Sequence, residues 1–176
     1  MATFVKIASV TVGAGGASAI DFSNISGDFT DLYIKFSLKC TLTPAVNYNW
    51  LGMRFNNDST STYLGEFLVG NTTTTASQLS YTQFRQFAHS TSSWASGSTN
   101  TFSNGEVYIS NYSNSANNKN IYATTVAENN NTSGFSIITY NGSYPSGSAV
   151  TSISLYDLDS NLVQHSRATL YGIAKK

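Results

Sequence analysis

From Asp31 to Cys40 the chain alternates without a break: Leu32, Ile34, Phe36, Leu38 and Cys40 are interleaved with Tyr33, Lys35, Ser37 and Lys39. A period of two puts the first set on one face of an extended strand and the second set on the other, whereas a helix would spread both around its circumference. The segment is expected to be a half-buried strand whose inward face includes Cys40. Trp50 to Phe55 repeats the pattern, with Leu51, Met53 and Phe55 on one side and Trp50, Gly52 and Arg54 on the other. Further β-rich runs cover Val5 to Val12, Thr62 to Val69, Leu79 to Ala88, Gly105 to Tyr112, Asn120 to Glu128, Gly134 to Tyr140, Val150 to Tyr156 and Gln164 to Ala174. No stretch carries a sustained helical stripe.

The runs are separated by Asn56-Asn57-Asp58-Ser59, Asn71 to Ala76, Asn111 to Asn118, Asn129 to Ser133 and Asn141 to Ser148. Asn, Asp and Gly tolerate left-handed backbone angles, and Ser, Thr, Asn and Asp side chains bond nearby backbone groups, so these clusters read as turns. About ten strands joined by polar turns, with no intervening helices, predict packed antiparallel sheets rather than parallel units. The expected fold is all-β: one domain over residues 1–176, an antiparallel β-sandwich of jelly-roll-like form. Ala88 to Asn104 is the longest irregular stretch, rich in Ser and Thr around Trp94, and is expected to be an exposed, function-bearing loop.

Charged residues make up 10% of the 176, against roughly 25% in ordinary soluble proteins, while aromatics reach 13%. The formal net charge is 0, so nothing electrostatic favours nucleic acid or an anionic membrane as a partner. No run approaches the length of apolar residues that a transmembrane helix needs. The stretch from Lys6 to Ala19 imitates a signal peptide, but Ser9, Thr11, Gly13, Gly15 and Gly16 interrupt its apolar core, and a first strand is expected there instead.

The residues suited to chemistry are few. His89 and His165 stand in no recognisable catalytic setting, and two histidines with the single Cys40 cannot supply a zinc site. Glu66, Glu106 and Glu128 fall on predicted strands, but a glycosidase would need two carboxylates converging in space. Asp157-Leu158-Asp159-Ser160-Asn161 opens like a calcium loop, yet Leu162 replaces the required Gly and Ala168 the bidentate Glu, so a polar hairpin connection is expected. Gly13-Ala14-Gly15-Gly16 precedes no helix and reads as a turn. The Asn-x-Ser/Thr triplets at Asn24, Asn71, Asn111, Asn131 and Asn141 follow from composition. Neither an enzyme activity nor a cofactor nor a metal is expected. Aromatics able to form a contact surface remain: Tyr63, Tyr81, Trp94, Tyr112, Tyr140 and Tyr144, of which Trp94, Tyr112 and Tyr144 are the candidates for partner or glycan contact.

The order of segments adds a resemblance. Ile7 to Lys39, "IASVTVGAGGASAIDFSNISGDFTDLYIKFSLK", resembles the start of a family of small tailed-phage virion structural proteins. "MRFNNDSTSTY" (Met53 to Tyr63), "GEVYISNYSN" (Gly105 to Asn114), "TTVAENNNT" (Thr124 to Thr132), "AVTSISLY" (Ala149 to Tyr156) and "ATLYGIAKK" (Ala168 to Lys176) are similar to its later landmarks, in order. The resemblance implies a capsid decoration, or cement, protein of the phage head. Such a protein is made in the host cytoplasm without a signal peptide, binds the major capsid protein across subunits, and associates with itself, a trimer being the expected assembly. A glycan-binding module of a tail tip or fibre is the alternative. The resemblance carries over no catalytic residue.

Overall fold

The computed structural model describes residues 3–42, 48–60, 62–70, 75–92, 100–128 and 135–174. Twelve strands run through them, and no described residue is helical. The first four are β1 (Phe4–Thr11), β2 (Ile20–Phe22), β3 (Phe29–Cys40) and β4 (Tyr48–Phe55). Next come β5 (Tyr63–Gly70), β6 (Thr75–Tyr81), β7 (Phe84–Ser92) and β8 (Ser103–Ser110). The last are β9 (Lys119–Glu128), β10 (Phe135–Tyr144), β11 (Ile153–Asp157) and β12 (Arg167–Ala174).

Hydrogen bonding links them into one open, mixed sheet made of two antiparallel runs. The larger run is β1-β12-β3-β8-β9-β10-β5-β6, and the smaller is β2-β11-β4-β7. They join only where the end of β3 lies parallel to β7, with Lys39 beside Thr91 and Cys40 beside Ser92. The long alternating strand is thus the hinge of the architecture. It pairs with β12 on one side, with β8 on the other, and reaches the smaller run with its last two residues.

The inward faces expected of β3 and β4 are buried, but residues expected on the outward faces are enclosed as well: Lys39 is 5% exposed, Gly52 is buried, and Trp50 packs against the core. Leu32, Ile34, Leu38, Cys40, Leu51, Met53 and Phe55 are all fully buried. All but Cys40 belong to a single apolar cluster that also takes in Phe84, Phe87, Val107, Ile109, Ile138, Tyr140 and Leu170. Aromatic rings knit the two runs together across that core. Phe87 of β7 meets Phe36 of β3 edge-on at 6.2 Å and Tyr140 of β10 at 6.5 Å, and Trp50 of β4 lies 5.2 Å from Phe67 of β5. Such ring pairs contribute about 0.5–1.5 kcal/mol each beyond their buried area. Two glycines make room for this packing: a Cβ on Gly65 would overlap the Tyr140 ring, and one on Gly105 the Phe36 ring.

Expected boundaries are corrected. Ala88 to Asn104 is not one exposed loop, because β7 runs on to Ser92 with Ala88 to Thr91 buried, and β8 starts at the buried Ser103; residues 93–99 of that stretch lie outside the described residues. The run Leu79 to Ala88 is not one strand but the end of β6 and the start of β7, separated by a bend at Thr82-Gln83. Within β7 the register against β4 jumps between Leu51↔Ala88 and Gly52↔Arg85, and Gln86 there has φ 59°. This is a β-bulge, which bends its strand and re-aims the side chains that follow. The other addition, β2, is three residues long and too short to show a period. Two of the polar clusters turn the chain as expected, where Asn56 and Asn57 (φ 50° and 52°) and Asn111 (φ 53°) adopt the left-handed conformation that Asn tolerates; Asn141 to Tyr144, expected to turn, instead continues β10, and residues 71–74 and 129–133 lie outside the described residues.

Candidate functional site

The outward side chains of the larger run share one face across eight neighbouring strands. Register places Tyr171 of β12 opposite Tyr33 of β3, Tyr33 opposite Tyr108 of β8, and Tyr108 opposite Tyr122 of β9. Four tyrosines on four adjacent strands therefore stand in one cross-strand row. Lys6 of β1 flanks it at one end, and Asn141 of β10 and Glu66 of β5 continue it at the other. Phe4 packs edge-on against Tyr33 at 5.3 Å and against Tyr171 at 6.5 Å.

Two carboxylates hold the middle of the row. The Tyr33 hydroxyl donates to Glu106 on β8, and the Tyr108 hydroxyl donates to Asp31 on β3 at 2.7 Å. Each tyrosine thus reaches diagonally across the β3–β8 pair to an acid on the strand opposite. Burial, then the bonded acid, raises both phenols above their ordinary value, Tyr108 to about 12 and Tyr33 further. Asp31 also accepts from the Asn111 backbone N–H at 2.7 Å, tying the β8–β9 turn to the same acid.

Beyond the row, toward β5, the face becomes apolar. Val126 and Ile137 are directly opposed on β9 and β10, Phe135 lies two residues before Ile137, and Leu68 stands on β5. All four are exposed, Phe135 by 61% and Val126 by 51%. Gly70 has no side chain where Ile137 leans over β5, since a Cβ there would lie 2.7 Å from the Ile137 methyl. Single exposed apolar residues are ordinary, but a contiguous group of four is characteristic of an interaction surface.

The residues singled out from sequence sit elsewhere. Trp94 lies outside the described residues. Tyr112 and Tyr144, expected at the surface, are 0% and 1% exposed, and Tyr63 and Tyr140 are equally buried. Their hydroxyls explain why they can be: Tyr112 donates to the Ser26 carbonyl, and Tyr144 to Asp58 Oδ2 at 2.7 Å. A buried phenol with its hydroxyl bonded closes a turn onto the core and offers no ring to a ligand. Of the expected surface aromatics that are described, only Tyr81 is exposed, beneath the Arg85 guanidinium at 5.0 Å. The tyrosines of the outer row went unnoticed in the sequence because each lies in a different strand; Tyr33 had been assigned to the outward face, but its neighbours depend on register.

The acid-rich connection Asp157 to Asn161 turns its first carboxylate inward. Asp157 Oδ1 accepts from Asn49 Nδ2 at 2.6 Å and from the Ser160 hydroxyl at 2.8 Å, and Oδ2 accepts from the Ser90 hydroxyl at 2.6 Å. Its backbone partner is the Asp159 N–H at 3.2 Å. The carboxylate organises a polar connection, but not the expected hairpin: β11 pairs with β2 and β4, whereas β12 pairs with β1 and β3, so the connection carries the chain from one run to the other. Among the described residues no group of three or more His, Cys, Asp or Glu side chains converges as a metal site would require. Among the described residues no helix is long and apolar enough to cross a membrane.

Cys40 lies beside this cluster, fully buried, and burial together with the nearby Asp157 charge pushes its thiol up. A protonated, enclosed thiol is a poor nucleophile. In native buffer Cys40 should react with a disulfide reagent such as dithionitrobenzoate only as fast as the protein opens, and at least about a hundredfold slower than in denaturant. A fast native reaction would contradict the burial described. His165 is exposed in a left-handed turn (φ 72°), whereas His89 is 1% exposed and lies between the rings of Tyr48 and Trp50. Glu66 and Glu106 are on the outer face, and the Glu128 side chain is outside what the structure describes.

No protein-family model matches the chain, and neither a curated protein nor a solved structure matches it.

Proposed function

We propose that this chain is a structural protein of a phage particle, a capsid decoration protein that binds across subunits of the major capsid protein and stabilises the head. The apolar corner of Leu68, Val126, Phe135 and Ile137 carries this reading, because a protein whose work is to dock needs a contiguous apolar patch outside its own core. Near-neutral charge supports it too, since copies crowded on one lattice would otherwise repel. Docking would stabilise the assembled shell by mass action, the bound state being the only one in which that surface is covered. The decoration protein would assemble with itself, as a trimer, in keeping with the symmetry of coats. Its fold would be a jelly-roll-like β-sandwich, with the contacts of Phe87 on Phe36 and Tyr140 marking where the smaller run packs over the larger.

Counting copies in purified particles by quantitative mass spectrometry tests this directly. Hundreds of copies, with binding to shells lost when Val126 and Ile137 are replaced by Asp, are expected. A handful of copies would move the protein to the tail and overturn the decoration reading. The buried positions of Tyr112 and Tyr144 remove two of the three aromatics that had suggested glycan contact through loops.

A further inference from the structure

The geometry points to a second binding surface, separate from the apolar corner: the row Tyr171–Tyr33–Tyr108–Tyr122, a platform for an uncharged, extended oligosaccharide lying across the strands. Neighbouring strands are about 4.8 Å apart, so the four tyrosines recur at that interval over roughly 14 Å. The interval is close to the length of one pyranose unit in an extended chain. Successive sugar rings can therefore set their C–H faces against successive tyrosines. Tyr108 and Tyr122 supply the exposed ring surface, 36% and 46% open, while Tyr33 and Tyr171 are half-buried.

Hydroxyl recognition needs acceptors and donors beside the rings, and these are present. Asp31 and Glu106 are already held in place by the tyrosine hydroxyls, and Lys35 stands opposite Glu106 in the next row. Two shallow hollows adjoin here and share Lys35. One, of about 440 Å³, lies among Phe4, Tyr33, Lys35 and Tyr171; the other, of about 400 Å³, is bordered by Asn104, Glu106 and Thr124. Both volumes fall within the range of ligand clefts, roughly 300–1,000 Å³.

Charge and chemistry together select the occupant. Lys35 faces Glu106, and Asp31 lies on the far side of the row, so the surface has no single sign with which to attract a polyanion or polycation. A second copy of the chain laid on the row would have to strip water from those charges and match each with an opposite charge in good geometry, since the desolvation of an imperfectly paired charge outweighs its attraction. Sugar hydroxyls replace the lost water hydrogen bonds one for one, and the sugar's C–H face takes the ring. Nothing in this argument uses the apolar corner, so the platform stands whether or not the decoration reading does.

The test is calorimetric titration of the full chain with hexasaccharides of gluco, manno, galacto and N-acetylglucosamine type, with light scattering run on the same samples. At least one should bind saturably, with a dissociation constant tighter than about 10 mM. Tyr108→Ala and Tyr122→Ala should each weaken that binding by about tenfold or more while leaving the near-ultraviolet circular dichroism essentially unchanged, because both side chains are exposed. Leu68→Ser, in the apolar corner, should not weaken it. Absence of saturable binding to every member of the panel would overturn the proposal, as would binding indifferent to both tyrosine substitutions. Self-association that Tyr122→Ala abolishes would also overturn it and assign the row to a second copy.

Discussion

Taking the protein from pH 7 to pH 5 should remove about 2 kcal/mol of stability through one side chain, His89. Its ring is stacked on Tyr48 at 4.0 Å and lies 4.1 Å from Trp50, and its Nδ1 is 3.1 Å from the Ser136 hydroxyl. Nε2 is buried with no hydrogen-bond partner among the described residues. Protonation would put an N–H on both nitrogens with an acceptor for one, inside an apolar core. Burial accordingly lowers the His89 pKa from its ordinary 6.5 to about 3.

The sign follows from which state takes up the proton. Below 6.5 the unfolded chain binds a proton at this position and the folded chain does not, so stability is complete above 6.5. It falls by about 1.4 kcal/mol for each further pH unit and stops falling below about 3. Other groups titrate in the same range, so the informative quantity is a difference. Urea unfolding at pH 7 and pH 5 should show His89→Phe, which keeps an aromatic ring at the site, losing about 2 kcal/mol less than the parent. Equal losses in both proteins would show that His89 is protonated within the fold, contrary to its enclosure.

Replacing Asp157 by Ala is the second large effect, about 3 kcal/mol or more. The substitution removes the acceptor for Asn49 Nδ2 and for the hydroxyls of Ser90 and Ser160, and leaves the buried donors of Asn49 and Ser90 with little access to water. Three elements lose their common tie at once: the start of β4, the end of β7 and the connection that follows β11. For a chain of this length the midpoint of thermal unfolding should drop by roughly 10 °C. Asp157→Asn keeps one acceptor oxygen and should lose distinctly less. A drop of only a degree or two for Asp157→Ala would mean that water reaches the cluster and satisfies the donors.

How much of this was open to a reader of the sequence depends on how far apart the interacting residues are. The faces of β3 and β4 follow from local alternation, because period two needs only neighbours along the chain. The left-handed turns at Asn56, Asn57 and Asn111 are equally local. The bend at Thr82-Gln83 escaped notice because neither residue is a strong breaker, and the bulge at Gln86 because it exists only relative to β4. Tyr112 illustrates the same limit from the other side. What makes it a core residue is a hydroxyl bonded to the carbonyl of Ser26, a partner remote in sequence. The tyrosine row is the furthest case, since its members are aligned only by three successive non-local registers.

The position of β3 also bears on the order in which the molecule can be built. One of its edges is covered by β8, but the other is covered by β12, which in turn carries β1. A chain leaving the ribosome has made β1 and β3 long before residues 167–174 exist to lie between them. Through most of synthesis β3 keeps an open edge, and β1 has no partner in the sheet. Pairings of such long sequence separation close slowly and leave adhesive edges exposed meanwhile. Nascent-chain proteolysis should find β3 protected only after the final strand has emerged, and a chain truncated before Arg167 should aggregate rather than fold. The molecule closes from its last strand.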